Sequence, residues 1–590
     1  MPQEITRLFD FAYYQQKMYP HGKCFNHKVN GVWTGVSTEE YITKANTISR
    51  FLLQLGIQQH DKIVVITSTN RPEWSMLDLA ILQIGAINVP LYPNITVEDY
   101  QYIINHSDAS YCFVSDLDLF KKVNSIKKNT QLKEIYSFDI LSETTNWDQL
   151  LAMGADMSLQ PKVDALKDAV DPKQTATIIY TSGTTGTPKG VMLSHFNLVS
   201  NTFDGKDMMD IPVGRNRVMS FLPVCHIFER FALYYYQYMG FEIYFAESID
   251  KLGVNIKEVH PHFMPVVPRL IEKIYDKITA TARELSIPKR IIFNWAVRVG
   301  KKYSLKKTEN ALYNFKLNLA RKLVFVKWKE AMGGDIRFML SGSAALQPNL
   351  IRVFAAAEIP VIEGYGMTET SPGITLNSMI DGNNRTGSVG KALNNVIVKF
   401  AKDGEILVKG PNVMQGYYKD EKKTKESIID GFLHTGDIGH MDADGYLYIT
   451  DRKKEMFKTS GGKYIAPTHI EGMFKQSGFI EQIMVVGEGE KMPAALILIN
   501  FDFVNNWAKQ HQLKIKETLK ALSNDSRVIA RIQKELDHYN PSFGKWEQVK
   551  KFELTPIDWT IDNGLLTPTL KIKRKQIMKK FQKLVTKIYS

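Results

Sequence analysis

Apolar residues in the N-terminal part of the chain switch between two spacings. The stretches 62–67 (Lys-Ile-Val-Val-Ile-Thr), 86–93 and 111–115 are short β-branched or aromatic runs, which read as buried strands. Between them, Ser37-Thr-Glu-Glu40 is a capping box opening an amphipathic helix that stops at Gly56. Asn70-Arg-Pro-Glu-Trp74 turns into a second helix, and Thr96-Val-Glu-Asp99 caps a third. This alternation predicts parallel sheets covered by helices. From Gly404 the texture changes to short strands with tight turns, at 404–410 and 445–450. A charged stretch, Asp451-Arg-Lys-Lys-Glu455, follows, and then come strands at 482–487 and 494–500 and a lysine-rich terminal helix. The expected fold is α/β: a large N-terminal domain of parallel and mixed sheets covered by helices, with a β-rich subdomain, over 1–450; a hinge at 451–454; and a small α+β C-terminal domain over 455–590. There is no internal repeat and no low-complexity tract.

A chain of 590 residues exceeds what one core supports. Its three cysteines, Cys24, Cys112 and Cys225, lie far apart. That argues against a disulfide scaffold or a cysteine-rich zinc site and suits a reducing compartment, so a cytoplasmic location is expected. The first residues lack a basic segment followed by an apolar core, and no signal peptide is expected. The most apolar long run, 231–246, is interrupted by Gln237 and Glu242; it falls short of the roughly 20 residues that cross a bilayer.

The formal net charge of +13 fits nucleic acid, anionic lipid or polyphosphate. Basic residues concentrate at 283–330, with Trp295, Tyr303, Phe315 and Trp328 among them. There Phe315, Leu319, Leu323 and Val326 recur at helical spacing with lysines off that face. Two readings stand: a basic amphipathic helix lying on an anionic membrane, at its inner face, or a helical hairpin with a solvated basic face. No aromatic–basic module for reading nucleic acid is present in the pattern, so that partner is not expected.

The chemistry gathers on loops at strand ends. Residues 180–190 read Tyr-Thr-Ser-Gly-Thr-Thr-Gly-Thr-Pro-Lys-Gly, after a strand at 175–180 and before an apolar run at 191–193 and a helix start at Ser194. Glycines let backbone N–H groups approach an anion, hydroxyls add donors and lysine adds charge, which suits a polyphosphate. Pro188 before the lysine excludes a P-loop. Glu363-Gly-Tyr-Gly-Met-Thr-Glu-Thr370 follows an apolar strand at 359–362. Its tyrosine can lie against a purine, Thr368 can donate to a phosphate, and a carboxylate can hold magnesium; a structural turn with a packed tyrosine is the plainer reading. Ser341-Gly-Ser-Ala-Ala345 is a weak motif. In His434-Thr-Gly-Asp437 the aspartate can take both hydroxyls of a ribose. His226, in Leu222-Pro-Val-Cys-His226, is a lone histidine of the kind that is often structural, and Tyr234 to Tyr236 line an acyl tunnel or belong to the core.

Taken together, the 180–190 string, Tyr365-Gly-Met-Thr-Glu369, the Thr-Gly-Asp437 turn, the run from Asp451 to Pro467 and the run from Thr560 to Arg574 resemble the adenylate-forming superfamily. The closest class is the AMP-forming long-chain fatty acyl-CoA synthetases, in the same motif order from Asn70 to Arg574. The resemblance implies activation of a long-chain fatty acid to acyl-AMP and then acyl-CoA, with ATP, magnesium and coenzyme A. It places the phosphates on Thr181, Ser182, Gly183, Thr184, Thr185, Gly186, Thr187 and Lys189. It gives the adenine to Ser343, Ala344, Glu363, Gly364, Tyr365 and Gly366, a phosphate to Thr368, and the ribose to Asp437 and Arg452. Magnesium goes to Glu369 with Thr181. Lys454 becomes the pivot of a mobile small domain, Lys458 a nucleotide contact, and Gly461 and Gly462 the path of the pantetheine arm. Lys571 becomes the catalytic lysine, with Lys573 as competitor, because Leu570-Lys571 stands where many members have Gly-Lys. His226 would sit beside the acyl and adenylate groups. A tryptophan tunnel gate known in a bacterial member has no counterpart at Arg230. The alternatives are a fatty acyl-AMP ligase that feeds a carrier protein and a non-catalytic nucleotide- or lipid-binding protein.

Overall fold

The computed structural model describes residues 5–181, 187–209, 211–305, 310–380, 384–567 and 571–590. Two large sheets share one core. The seven-stranded sheet runs, in spatial order, Glu134–Ser137, Tyr111–Val114, Lys62–Ile66, Ile87–Leu91, Thr175–Thr181, Lys189–Ser194 and Gly416–Tyr417. Its first five strands are parallel and its last two pairings antiparallel. The nine-stranded sheet runs Val32–Val36, Phe25–Val29, Glu242–Phe245, Arg217–Ser220, Phe263–Val266, Phe338–Ser341, Val361–Gly366, Gly373–Leu376 and Lys391–Ala392. It is parallel from Phe25–Val29 to Val361–Gly366 and antiparallel at both edges.

The period-2 pattern of the strands dictates the layering. Ile63 and Val65 face the shared core with Trp74, Leu77, Val218 and Ile243. Val64 and Ile66 face outward, against Ile103 and Val123. On the other sheet Met219, Met264 and Met339 face outward, against Phe325, Trp328 and Phe354. Helices with mostly buried side chains, Pro72–Gln83, His195–Met208 and Ile227–Tyr238, belong to the shared core, and the first two carry little amphipathic pattern for that reason. The expected caps form: Ser37 Oγ accepts the Glu40 N–H at 3.0 Å, and Thr96 Oγ1 that of Asp99 at 3.1 Å.

The apolar run 231–246 splits into the helix Ile227–Tyr238 and the strand Glu242–Phe245. Residues 191–193 belong to the strand Lys189–Ser194, and Ser194 caps the next helix. Among the described residues no helix is long and apolar enough to cross a membrane. A five-stranded sheet (Ile397–Phe400, Glu405–Lys409, Ile428–Ile429, Phe432–Met441, Leu447–Arg452) forms the β-rich part. Asp451 and Arg452, expected in the hinge, end the last of these strands, opposite Ile438 and Asp437. The smaller C-terminal domain is built on the strands Ile480–Val486, Ala494–Ile499 and Lys551–Leu554. One face packs on the helices Pro467–Phe474 and Ser526–Tyr539, the other on Gln582–Tyr589.

Candidate active site

The strand Thr175–Thr181 turns back into Lys189–Ser194 with Thr181 opposite Lys189. This puts Lys189 at the mouth of the 182–186 segment, which lies outside the described residues together with the sequence candidates Ser182, Gly183, Thr184, Thr185 and Gly186. Thr187 is exposed beside it. The Lys189 ammonium stands 5.6 Å from the Tyr417 ring centre, and the Tyr417 hydroxyl donates to Glu369 Oε1 at 2.9 Å. Burial, then the cations Lys423 and Lys454, lower the Lys189 pKa. Burial raises that of Glu369. Lysine, phenol and carboxylate thus meet beside the loop.

The Val361–Gly366 strand brings a second group into the same cleft. Glu363 is buried and accepts the Leu346 N–H at 3.0 Å, tying the 341–345 segment to the strand; burial pushes its carboxyl up to about 7. Ser343 takes a left-handed φ of 74° in that segment, and Ala344 next to it is exposed. At Gly364 an added Cβ would stand 3.1 Å from Leu376 Cδ1. Gly366 has no room for any side chain, since its Cβ would lie 1.8 Å from the Pro372 carbonyl oxygen. Thr368 opens the short turn Thr368–Thr370 that carries Glu369. Tyr365 donates its hydroxyl to Asp437 Oδ2 at 2.7 Å, while Arg452 Nε stands 3.2 Å from Asp437 Oδ1. A phenol and a guanidinium therefore hold both oxygens of one buried carboxylate.

Lys571 enters this cleft from the C-terminal domain. It stands within electrostatic reach of Arg452, Asp437 and Glu455. Enclosure by protein, then the Arg452 charge, push its ammonium down to about 8, although its surface stays open to solvent. Its backbone is fixed by the Thr567 N–H to Lys571 carbonyl bond at 2.8 Å and by the Lys571 N–H to Thr567 Oγ1 bond at 3.0 Å. His226 faces it. The His226 Nδ1 accepts the Phe228 N–H at 3.2 Å and caps the helix Ile227–Tyr238, which leaves the neutral ring's proton on Nε2. Burial, then Lys571, push this imidazole down to about 4. Lys573 donates its backbone N–H to the Leu565 carbonyl at 2.9 Å, and Lys571 lies within electrostatic reach of Asp437 and His226.

Of the remaining candidates, Lys454 comes within electrostatic reach of Lys189, and the others lie on a hairpin of the small domain. Lys458, Gly461 and Gly462 lie on and between the short paired strands Phe457–Lys458 and Tyr464–Ile465 of the small domain, where Lys458 stands over the Tyr464 ring at 4.6 Å. Lys454 is exposed, one residue beyond Lys453, which pairs with Asp403 and Glu405.

The comparisons with known proteins bear on this arrangement. Residues 15–418 match the family model described as AMP-binding enzyme, and residues 455–590 that of the AMP-binding enzyme C-terminal domain. The chain is 32% identical over 587 residues to the long-chain-fatty-acid–CoA ligase FadD15 of Mycobacterium bovis, covering 97% of this chain and 95% of that one. It is 32% identical over 629 residues to the peroxisomal long chain acyl-CoA synthetase 7 of Arabidopsis thaliana, covering 100% and 87%. The chain belongs to the AMP-binding enzyme family. In fold this family member is similar to the solved anthranilate CoA ligase AuaEII in complex with anthranoyl-AMP, with a TM-score of 0.71 at 17% identity and 98% of each chain covered. It is also similar to a Mycobacterium tuberculosis fatty acyl CoA synthetase, with a TM-score of 0.63 at 20% identity and 98% of each covered.

Three functional neighbours escaped the sequence reading of this AMP-binding enzyme. Asn70 uses its whole amide on the segment before His226: Nδ2 donates to Ser220 Oγ at 2.8 Å and to the Leu222 carbonyl at 2.7 Å, and Oδ1 accepts the Val224 N–H at 3.3 Å. Its signal was the Asn70-Arg-Pro-Glu-Trp74 string, read only as a turn. Tyr417 carries no local signal. Arg574 is clasped by Glu455 at 3.1 Å and Glu471 at 2.6 Å, which fixes the chain three residues after Lys571. Arg230, at the position weighed as a tunnel gate, is fully buried in a core network with Asp78, Tyr234 and Thr177.

Proposed function

We propose that the protein is an AMP-forming long-chain fatty acid–CoA ligase. The observation that carries this reading is the meeting of Lys571 with Asp437, Arg452 and His226 in one cleft, with Lys189 and Glu369 beside the 180–190 loop. In the first half-reaction the fatty carboxylate attacks the α-phosphorus of ATP and pyrophosphate leaves. Two anions must approach, and charge spreads over phosphate oxygens, so fixed cations aimed at that charge lower the barrier. Lys571, held as an ammonium, bridges carboxylate and α-phosphate. Asp437 takes the ribose hydroxyls, and the 181–189 loop with Lys189 takes the leaving pyrophosphate. His226, neutral and donating through Nε2, orients the acyl carboxylate.

Glu369 offers a hard carboxylate oxygen beside the loop. Among the described residues no group of three or more His, Cys, Asp or Glu could hold a metal by itself. This donor set fits a magnesium ion held mainly by phosphate oxygens and water, with Glu369 and Thr181 as protein ligands. When bound, magnesium would offset the charge of the phosphates.

In the second half-reaction the small domain turns about Lys454, Lys571 withdraws, and the Gly461-Gly462 hairpin comes to the adenylate. The CoA thiol then attacks the acyl carbonyl and AMP leaves. Long-chain acids partition into bilayers, and the reading includes work at the inner, cytoplasmic face of an anionic membrane. Lys571→Ala abolishes acyl-AMP formation from ATP and acid yet spares thioester formation from supplied acyl-AMP. Equal loss of both steps would remove Lys571 from this role. Adenylate that forms but ignores CoA would point to delivery to a carrier protein.

A further inference from the structure

The strand Phe432–Met441 carries more residues than its partner accommodates. Leu407 lies opposite His434 and Glu405 opposite Ile438, so Ile406 alone faces Thr435, Gly436 and Asp437. The excess bulges out of the ladder, with Gly436 at a left-handed φ of 73°. This bulge presents Asp437 to Tyr365 and Arg452. The Gly436 N–H goes to a side chain, Glu405 Oε1, at 3.0 Å. Glu405 is buried at the start of its strand. Its other oxygen, Oε2, accepts Lys453 Nζ at 2.8 Å and stands 3.2 Å from His434 Nδ1. Lys453 also pairs with Asp403 Oδ2 at 2.7 Å, and its backbone N–H donates to the Gly436 carbonyl at 2.8 Å. Burial opposes the charge of Glu405, yet the bonds from Lys453 and His434 hold its carboxyl below the usual range. One buried carboxylate thus stands behind two parts of the site: the bulge ending in Asp437, and the Arg452–Lys453 step just ahead of Lys454.

We propose that Glu405 is a positioning residue with two separable roles: its Oε1 sets the bulge that aims Asp437 at a ribose, and its Oε2, with Asp403, clamps Lys453 so that the turning of the small domain begins at Lys454. This rests on the reading of the chain as an ATP-dependent ligase with a mobile small domain. The first role follows from the bulge. Without Glu405 the Gly436 N–H has to find another acceptor, and Asp437, the next residue, shifts with it. The second role follows from where the partners of Lys453 lie. Asp403 and Glu405 both precede the pivot, at the edge of the five-stranded sheet, so Lys453 stays with that sheet while the chain after it moves. Glutamine at 405 separates the two roles. Its amide oxygen still accepts the Gly436 N–H, but it offers no charge to Lys453.

The test uses the full-length chain with α,β-methylene analogues of ATP and of dideoxy-ATP, which read the ribose hydroxyls without turnover. Glu405→Met, which keeps the bulk and removes both oxygens, lowers the preference for the ribose form about tenfold. Glu405→Gln restores that preference. Thioester formation from supplied fatty acyl-AMP, in single turnover, slows about fivefold in Glu405→Gln and in Lys453→Met. The double variant is no slower than Lys453→Met, because both changes open one clamp. Should Glu405→Met not fold, Glu405→Ala takes its place. Ribose preference lost equally with methionine and with glutamine at 405 would overturn the first role. A wild-type thioester rate in Lys453→Met, or additive losses in the double variant, would overturn the second. A chain that forms no thioester from fatty acyl-AMP yet shows this ribose pattern would keep Glu405 behind Asp437 and remove the fatty-acid reading.

Discussion

Lys571 is an ammonium in a cleft that works against its charge, and the consequence is a pH limit. In the proposed first half-reaction the protonated form does the bridging. It is fully present well below about 8 and is lost as pH rises through that value. The kcat/KM for adenylation, which reports the free enzyme, is therefore expected to fall about tenfold per pH unit above the limb. Pyrophosphate exchange followed from neutral to strongly alkaline pH checks this, and a flat profile to about pH 10, where an unshifted lysine titrates, would contradict it. Arg230 illustrates the other side of residue-scale reading. Four residues after His226, it stands where the sequence offers no tunnel gate. Its partner Asp78 is 152 residues away, and Nη2 to Oδ1 is 2.6 Å in full burial. Arg230→Met takes the counter-charge from the Asp78 carboxylate, which keeps the Asn88 and Tyr234 donors, and is expected to cost about 3–5 kcal/mol of stability; adding Asp78→Leu restores only part of it, because those two buried donors then lose their acceptor. Chemical denaturation of the single and double variants decides. Lys571 and Asp437 stand in strings of several specific residues, whereas His226 is a lone histidine that only the family resemblance places. Tyr417 and Asp78 could not be named from the sequence, because only the folded sheets bring them to their partners.

At the scale of elements, caps and strands were legible wherever the signal was local. Ser37, Thr96 and Ser194 start helices by their own hydroxyls, and Ile63 to Ile66 make a strand by apolar content alone. At 451–454 the charge did not reveal that Asp451 and Arg452 also close a strand, with Arg452 across from Asp437. The small domain docks through Arg269 and Glu481, through Gln347 Nε2 and the Lys475 carbonyl at 3.2 Å, and through Arg283 over the Phe503 ring at 4.2 Å. This docking places Lys571 in the cleft. Arg269→Ala is expected to slow adenylation about fivefold and leave thioester formation from supplied acyl-AMP at or above its normal rate. Lys454→Pro, by stiffening the proposed pivot, is expected to show the opposite bias. Single-turnover assays of each half-reaction separate the two, and a parallel loss of both steps in either variant would uncouple docking from catalysis.

For the whole molecule, the α/β class and the large-then-small arrangement were legible, because periodicity and texture change along the chain. Strand order was not. The parallel pairing of Phe25–Val29 with Glu242–Phe245 sets Phe25 beside Ile243, and no pattern within either segment points to the other. That pairing reaches into biosynthesis. A strand made at the beginning has its parallel neighbour only after more than two hundred further residues, on the order of 10–40 s at cellular rates of elongation. Through that interval the hairpin Phe25–Val29 and Val32–Val36 offers an open edge to anything able to pair with it. Chains halted before residue 240 are therefore expected to be captured by chaperones or to aggregate, and chains halted beyond residue 270 to resist protease in this region. Pulse proteolysis of stalled nascent chains measures that step, and a smooth gain of resistance with length would mean that the edge is guarded in another way.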